Sequence, residues 1–138
     1  MGLVLPVTYR PSDDEPFMNE RQLEYFRQKL LNWKQEILDE AKSTIANLQH
    51  ETLSLPDLAD RATSETDRAI ELRTRDRQRK LIAKIDMALR RIDEGTYGYC
   101  EETGEPIGVS RLDARPIATL SLEAQERHER RERVHRDD

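Results

Sequence analysis

The sequence predicts a mainly α-helical protein, built as a long antiparallel coiled-coil hairpin with a small globular domain and a C-terminal helix. Aromatic residues make up 5% of the 138 residues and charged residues 37%. That is too little bulky apolar material for a large globular core, and it suits elongated helices. Leu23, Phe26, Leu30, Trp33 and Ile37 recur at alternating intervals of three and four residues, the spacing of a coiled-coil seam. Farther along, Ile82, Ile85, Leu89 and Ile92 restore a stripe of the same kind.

Residues 1–17 contain Pro6, Pro11 and Pro16, which oppose regular helix, and an extended lead-in is expected there. The hairpin is assigned to 18–95. Its first arm begins near Met18, and beyond Ile37 the stripe drifts through Ala41, Ile45 and Leu48, which locally relaxes the supercoil. Pro56 interrupts the pattern, so the tip falls near 52–62. A second arm then runs to about Glu94. Two long helices joined by a short polar turn imply an antiparallel pair, each arm roughly 45–55 Å long. Gly95, Gly98, Gly104 and Gly108 punctuate the compact region assigned to 96–125. The last stretch, 119–138, reads as a helix that packs near Leu120 and Leu122 and whose charged end, assigned to 126–138, frays into solvent.

A formal net charge of −5 argues against nucleic acid as the main partner and against sequence-specific DNA recognition. The single cysteine excludes an intramolecular disulfide, and MGLVLPV lacks the charged flank and cleavage pattern of a signal peptide. A reducing, cytoplasmic setting is therefore expected. No segment approaches the roughly 20 apolar residues of a membrane span. No nucleophile, base and orienting group fall into an enzymatic pattern, and GEPIG lacks the lysine and strand-to-helix setting of a phosphate loop.

The stretch YGYCEETGEPI, 97–107, has the punctuation of a zinc knuckle without its ligands. A structural zinc site closes with four thiolates or imidazoles, usually in C-x-x-C pairs. Here the first pair is Cys100 and Thr103, and ARPIATLSLEAQ offers Ser121 and Ala124 for the second. Alanine cannot ligate and neutral hydroxyls are poor zinc ligands, so no metal is expected. Cys100 reads as an ordinary thiol, since no local base or resolving cysteine is apparent. His128 and His135, in a charged tail, read as solvated.

At the tip, Asp57 is placed to cap the second arm, with Asp60 in its first turn, and capping alone explains both carboxylates. The pair also puts negative charge on one face of an apex, where a partner's catalytic centre or mobile elements can meet it. RTRDRQRK, 73–80, has basic residues on several sides of the helix. Surface pairing with Glu36, Asp39, Glu40 and Glu51 is one reading; docking to an acidic partner through Arg77 and Arg73 is the other. Lys84 and Arg115 are two cations that can converge on a phosphorylated ligand. Leu81 can flank such a site, though an apolar residue in a helical stripe is ordinarily core.

PDLADRA, ELRTRDRQRKLIAKI, YGYC and IGVSRLDARP, with the long hairpin, resemble the DksA family of bacterial transcription factors from about Met18 to Gln125. Most of that family carries four zinc-binding cysteines, and this sequence keeps the first, Cys100. The resemblance implies a degenerate zinc-finger-like domain whose fold persists without zinc. It implies a monomer that enters the secondary channel of RNA polymerase, with Asp57, Asp60 and Ala62 acting near the active site to destabilise promoter complexes. Arg73 and Arg77 then contact the polymerase rim, and Lys84 and Arg115 contribute to binding ppGpp. A third family cation falls at Gln125, which leaves one charge contact absent unless Arg127 replaces it. Two other readings share the shape: a Gre-like transcript-cleavage factor and a structural coiled-coil adaptor.

Overall fold

The computed structural model describes residues 3–53 and 58–137. Its helices are α1 (Glu20–Leu53), α2 (Leu58–Glu94), α3 (Val109–Ala114) and α4 (Leu122–Asp137). The chain divides into two compact units, one of Met1–Leu30 with Met87–Asp138 and one of Leu31–Asp86.

In the first unit, α1 begins at a side-chain cap. The Asn19 carboxamide oxygen accepts the N–H of Gln22 at 2.9 Å, and Gln22 Oε1 accepts the N–H of Met18 at 2.8 Å. This reciprocal pairing is a capping box closed one residue early. Gln22 is fully buried, and its Nε2 donates to the Ser12 carbonyl at 3.0 Å and to Glu15 at 3.3 Å. Tyr9 donates to the same Glu15 oxygen at 2.8 Å, meets Tyr25 edge-on at 6.0 Å and lies under the Arg21 guanidinium at 4.6 Å. The lead-in is therefore not simply extended. Its prolines exclude helix, as expected, but it turns at 7–8 and 13–14 and packs on α1.

Phe26 and Leu30 are completely buried in this unit, with Ala88 and Ile92 of α2, Tyr97 and Leu112 beside them in its core. Phe26 meets Tyr25 at 5.2 Å and Tyr97 at 5.7 Å between ring centroids, and Tyr97 donates to the Pro116 carbonyl at 2.8 Å. Gly98 is required here for two reasons. Its φ is +92°, and a Cβ would stand 3.0 Å from Met18 Cγ. The segment after it pairs Tyr99 with Pro106 in an antiparallel bridge. Cys100 N–H donates to the Glu105 carbonyl at 2.8 Å and Glu101 N–H to the Thr119 carbonyl at 2.9 Å, which ties the knuckle to the segment before α4.

The expectation that α4 packs through Leu122 is overturned. Leu122 opens the helix and is 60% exposed, whereas Ala124, two residues on, is wholly buried. Successive helical positions differ by about 100°, and the side with room takes only a methyl group.

In the second unit, α1 and α2 run antiparallel. Lys34 pairs with Asp86 at 2.7 Å, and Gln78 donates to Glu40 at 3.1 Å. Ile37 and Ile85 are buried, while Trp33, Ala41 and Ile45 are half-buried. Away from Ile85 the seam turns polar. Gln78 Oε1, Glu71 Oε2 and Ser64 Oγ are shielded from solvent without a hydrogen-bond partner among the described residues.

Because Gln22 serves three backbone or side-chain partners from a buried position, Gln22→Ala is expected to destabilise the protein by about 1–3 kcal/mol. The exposed Gln28→Ala should stay within about 0.5 kcal/mol of wild type. Urea unfolding followed by circular dichroism measures both.

Candidate functional site

Four groups of chemistry-bearing residues come from the sequence, and Asp60, Ala62, Arg73, Arg77 and Lys84 of these all lie on α2. Asp57 lies outside the described residues. Asp60 and Ala62 fall near the start of α2, and their side chains lie outside the described set.

Arg73 and Arg77 are exposed on α2 in the second unit. Among the described residues, no ion pair joins Arg73, Arg75, Arg77 or Arg79 to a carboxylate. Within 73–80, Lys80 pairs with Asp76 at 3.3 Å and Arg77 donates to the Thr74 hydroxyl at 3.2 Å. Among the described residues, pairing across the arms uses Arg27, Lys34 and Gln78 instead, and Asp39 is met by Gln35 of its own helix at 3.0 Å. Glu51 lies outside the described side chains. Leu81 is half-buried on the same helix.

Lys84 is exposed on α2 in the second unit, and Arg115 is exposed at the C-terminal end of α3 in the first, where its N–H donates to the Arg111 carbonyl at 2.8 Å. Arg115 borders an open groove of about 500 Å³ that Ile107, Arg111 and Leu122 also line. Gln125 is half-buried and donates to Glu129 at 3.3 Å, and Arg127 is exposed.

A clamp that sequence reasoning missed lies on the same short helix. Tyr25 donates to Asp113 at 2.7 Å, and Lys29 Nζ reaches both the Asp113 carboxylate and its carbonyl at 2.7 Å. Burial opposes the charge on Asp113, but the hydrogen bonds from Lys29 and Tyr25 and the positive charges of Lys29 and Arg10 prevail and lower its pKa. No periodicity could have exposed this contact, because its partners lie 84 to 88 residues apart.

The knuckle is the most informative region. Cys100 is 3% exposed. Burial alone would raise its thiol; the Thr103 hydroxyl and the backbone N–H groups of Ser121, Thr103 and Glu102 hydrogen-bond the sulfur and bring it down to about 6. Thr103 Oγ1 accepts the Glu105 N–H at 3.2 Å, and Ser121 Oγ accepts the Ala124 N–H at 3.2 Å as the cap of α4. One thiol, two hydroxyl oxygens already engaged and a methyl group do not fit a zinc ion. Among the described residues, no group of three or more His, Cys, Asp or Glu side chains could hold a metal. His128 pairs with Glu102 at 2.8 Å, Arg91 pairs with Glu101, and the side chain of His135 lies outside the described set.

This fold and site define a helical-hairpin protein carrying a zinc-knuckle frame closed by hydrogen bonds. Comparison with known proteins gives the family. Residues 22–92 match the DnaK suppressor protein DksA N-terminal domain, and residues 95–130 match the prokaryotic dksA/traR C4-type zinc finger. The chain belongs to the DksA family. It is 74% identical over 136 residues to the RNA polymerase-binding transcription factor DksA of Caulobacter vibrioides, covering 99% of this chain and 96% of that one. The Escherichia coli protein of that description is 42% identical over 125 residues, covering 91% of this chain and 83% of that one. The solved structure of transcription factor DksA2 from Pseudomonas aeruginosa superposes with a TM-score of 0.80 at 44% identity, covering 87% of this chain and 95% of that one. The family is one of transcription factors, and among the described residues no helix is long and apolar enough to cross a membrane.

Two predictions follow from the chemistry of this unit. Both Cys100 and Asp113 have pKa values below those of the unfolded chain, so their stabilisation is complete at high pH and lost on acidification. For Cys100 the contribution is full above the unfolded thiol value, about 8.5, and is lost as pH falls through about 6. Cys100→Ser should therefore flatten the urea stability profile across that window, and Asp113→Asn should flatten it in the acid range below about pH 5. The second concerns metal: melting temperature should be unchanged by a strong chelator in wild type. Thr103→Cys/Ser121→Cys/Ala124→Cys should take up about one zinc per chain by elemental analysis and become chelator-sensitive.

Proposed function

We propose that this chain binds RNA polymerase and regulates transcription initiation from the enzyme's secondary channel, without recognising a DNA sequence. The observation that carries the reading is the match to the family along nearly the whole chain, with relatives named RNA polymerase-binding transcription factors. Physical chemistry supports it from the shaft. Arg73 and Arg77 are exposed guanidinium groups without a described carboxylate partner, and each offers a rigid fork for carboxylates on another surface.

In this reading α2 docks through Arg73 and Arg77, and Asp57, with Asp60 and Ala62 at the start of α2, acts at the polymerase active centre. The carboxylates act there by their charge, on a metal-dependent centre or its mobile elements, and Ala62 by its small size at a crowded contact. The effect is a shorter-lived promoter open complex. The chain itself carries out no catalysis; its side chains modify another machine's active site. Lys84 and Arg115 supply cations for ppGpp together with polymerase groups, and Gln125 makes that site one charge poorer. The protein acts in the cytoplasm as a monomer.

The test is the lifetime of open complexes on a ribosomal RNA promoter with purified polymerase. Wild type is expected to shorten it several-fold, and Asp57→Asn/Asp60→Asn to bind polymerase normally without shortening it. Retained activity in that variant would refute the assignment of the tip. Metal-dependent shortening of RNA in stalled complexes would favour a transcript-cleavage factor, and absence of polymerase binding a structural adaptor. Lys84→Ala and Arg115→Ala should each reduce the additional effect of ppGpp while leaving the ppGpp-independent effect in place.

A further inference from the structure

We infer that Ile70 and Leu72 are apolar anchors of the docking surface, so that α2 presents RNA polymerase with an amphipathic patch matched to an element carrying carboxylates between apolar side chains. The inference rests on the reading that the chain binds polymerase through α2, and adds the chemistry of the contact.

Ile70 and Leu72 are 54% and 47% exposed, and they line an open groove of about 660 Å³ with Arg73, Asp76 and Arg77. The helix explains the grouping. Ile70, Arg73 and Arg77 are spaced by three and then four residues and form one row, while Leu72 and Asp76, four apart, form the row beside it. A single exposed aliphatic residue is ordinary. Two of them beside two unpaired arginines, on a helix otherwise dominated by charge, have the composition of an interface centre rather than of a solvated shaft.

Asp76 does not neutralise the patch, because its carboxylate is engaged by Lys80 at 3.3 Å. Arg77 is steadied by the Thr74 hydroxyl at 3.2 Å, and Thr74 itself donates to the Ile70 carbonyl at 3.1 Å. The guanidinium groups therefore stand ready for an acidic partner, one of them held in place from within the helix. Aliphatic side chains on either side would exclude water from such a pair on docking, and a charged contact is stronger where water is excluded. That arrangement identifies the partner's chemistry as acidic and apolar together. A polyanion read by charge alone would have no use for the aliphatic rows.

The experiment measures polymerase affinity by biolayer interferometry for the full chain and three variants: Ile70→Ser/Leu72→Ser, the conservative Ile70→Val/Leu72→Ile, and Arg73→Ala/Arg77→Ala. Helicity and melting temperature are recorded for each. The serine and alanine pairs are expected to bind about tenfold to a hundredfold more weakly, and the conservative pair like wild type. Salt separates the two contributions. The arginine effect should shrink as ionic strength rises, while the serine effect persists. If the alanine pair weakens binding and the serine pair binds like wild type, the apolar anchor is wrong and arginine docking stands. If wild type itself does not bind polymerase, both readings fall together.

Discussion

The first unit depends on the burial of Phe26. It is wholly excluded from water, and its ring meets Tyr25 on its own helix and Tyr97 at the entrance to the knuckle. In a chain with 5% aromatic residues, that cluster is a large part of the bulky apolar material available. Everything nearby is arranged to keep it closed. Gln22, one turn earlier, fastens the lead-in over α1; Tyr97 is fixed by its hydroxyl on the Pro116 carbonyl; and Asp113, held by Tyr25 and Lys29, fixes α3. Zinc ordinarily does such work in small domains that cannot bury enough apolar surface. In this unit aromatic packing and hydrogen bonds to the Cys100 sulfur hold the knuckle segment.

The second unit follows a different economy. Its apolar seam is firm at Ile37 and Ile85 and gives way to Glu71, Gln78 and Ser64. Shielded polar atoms without partners stabilise a helix pair less than leucine or isoleucine would. Among the described residues the seam is apolar at Ile37 and Ile85, while Ile70, Leu72, Arg73 and Arg77 of α2 are exposed.

Much of this was legible in the residues. The three-four spacing located both long helices, because helix packing writes its period directly into the order of apolar residues; the break placed at Pro56 lies outside the described residues. That Ala124 has no ligating atom follows from residue type alone. Contacts between distant segments were not legible, and the Asp113 clamp is the clearest case. The lead-in was partly so: Asn19 and Gln22 stand at capping-box spacing, but the reach of Gln22 to Ser12 carries no local signature. Leu122 was misjudged because hydrophobicity was taken as a proxy for burial, whereas the geometry of the helix start buries Ala124 instead. At the tip, a cap and a partner contact call for the same carboxylate side chains, so residue type alone does not separate the two readings.

Ser121 has a consequence for how such a chain can change over time. Its hydroxyl caps α4 by accepting the Ala124 N–H, at a position that the sequence pattern offers to the second pair of a zinc knuckle. A mutation to cysteine there removes the cap immediately, at about 1 kcal/mol, while a lone additional thiol brings no metal. Ala124 is wholly buried, so a larger side chain at that position crowds the core until an ion is present to organise it. Single steps toward a four-ligand set therefore descend before they rise. The cap acts as a ratchet: a metal-binding set at these positions is reached only through several changes at once.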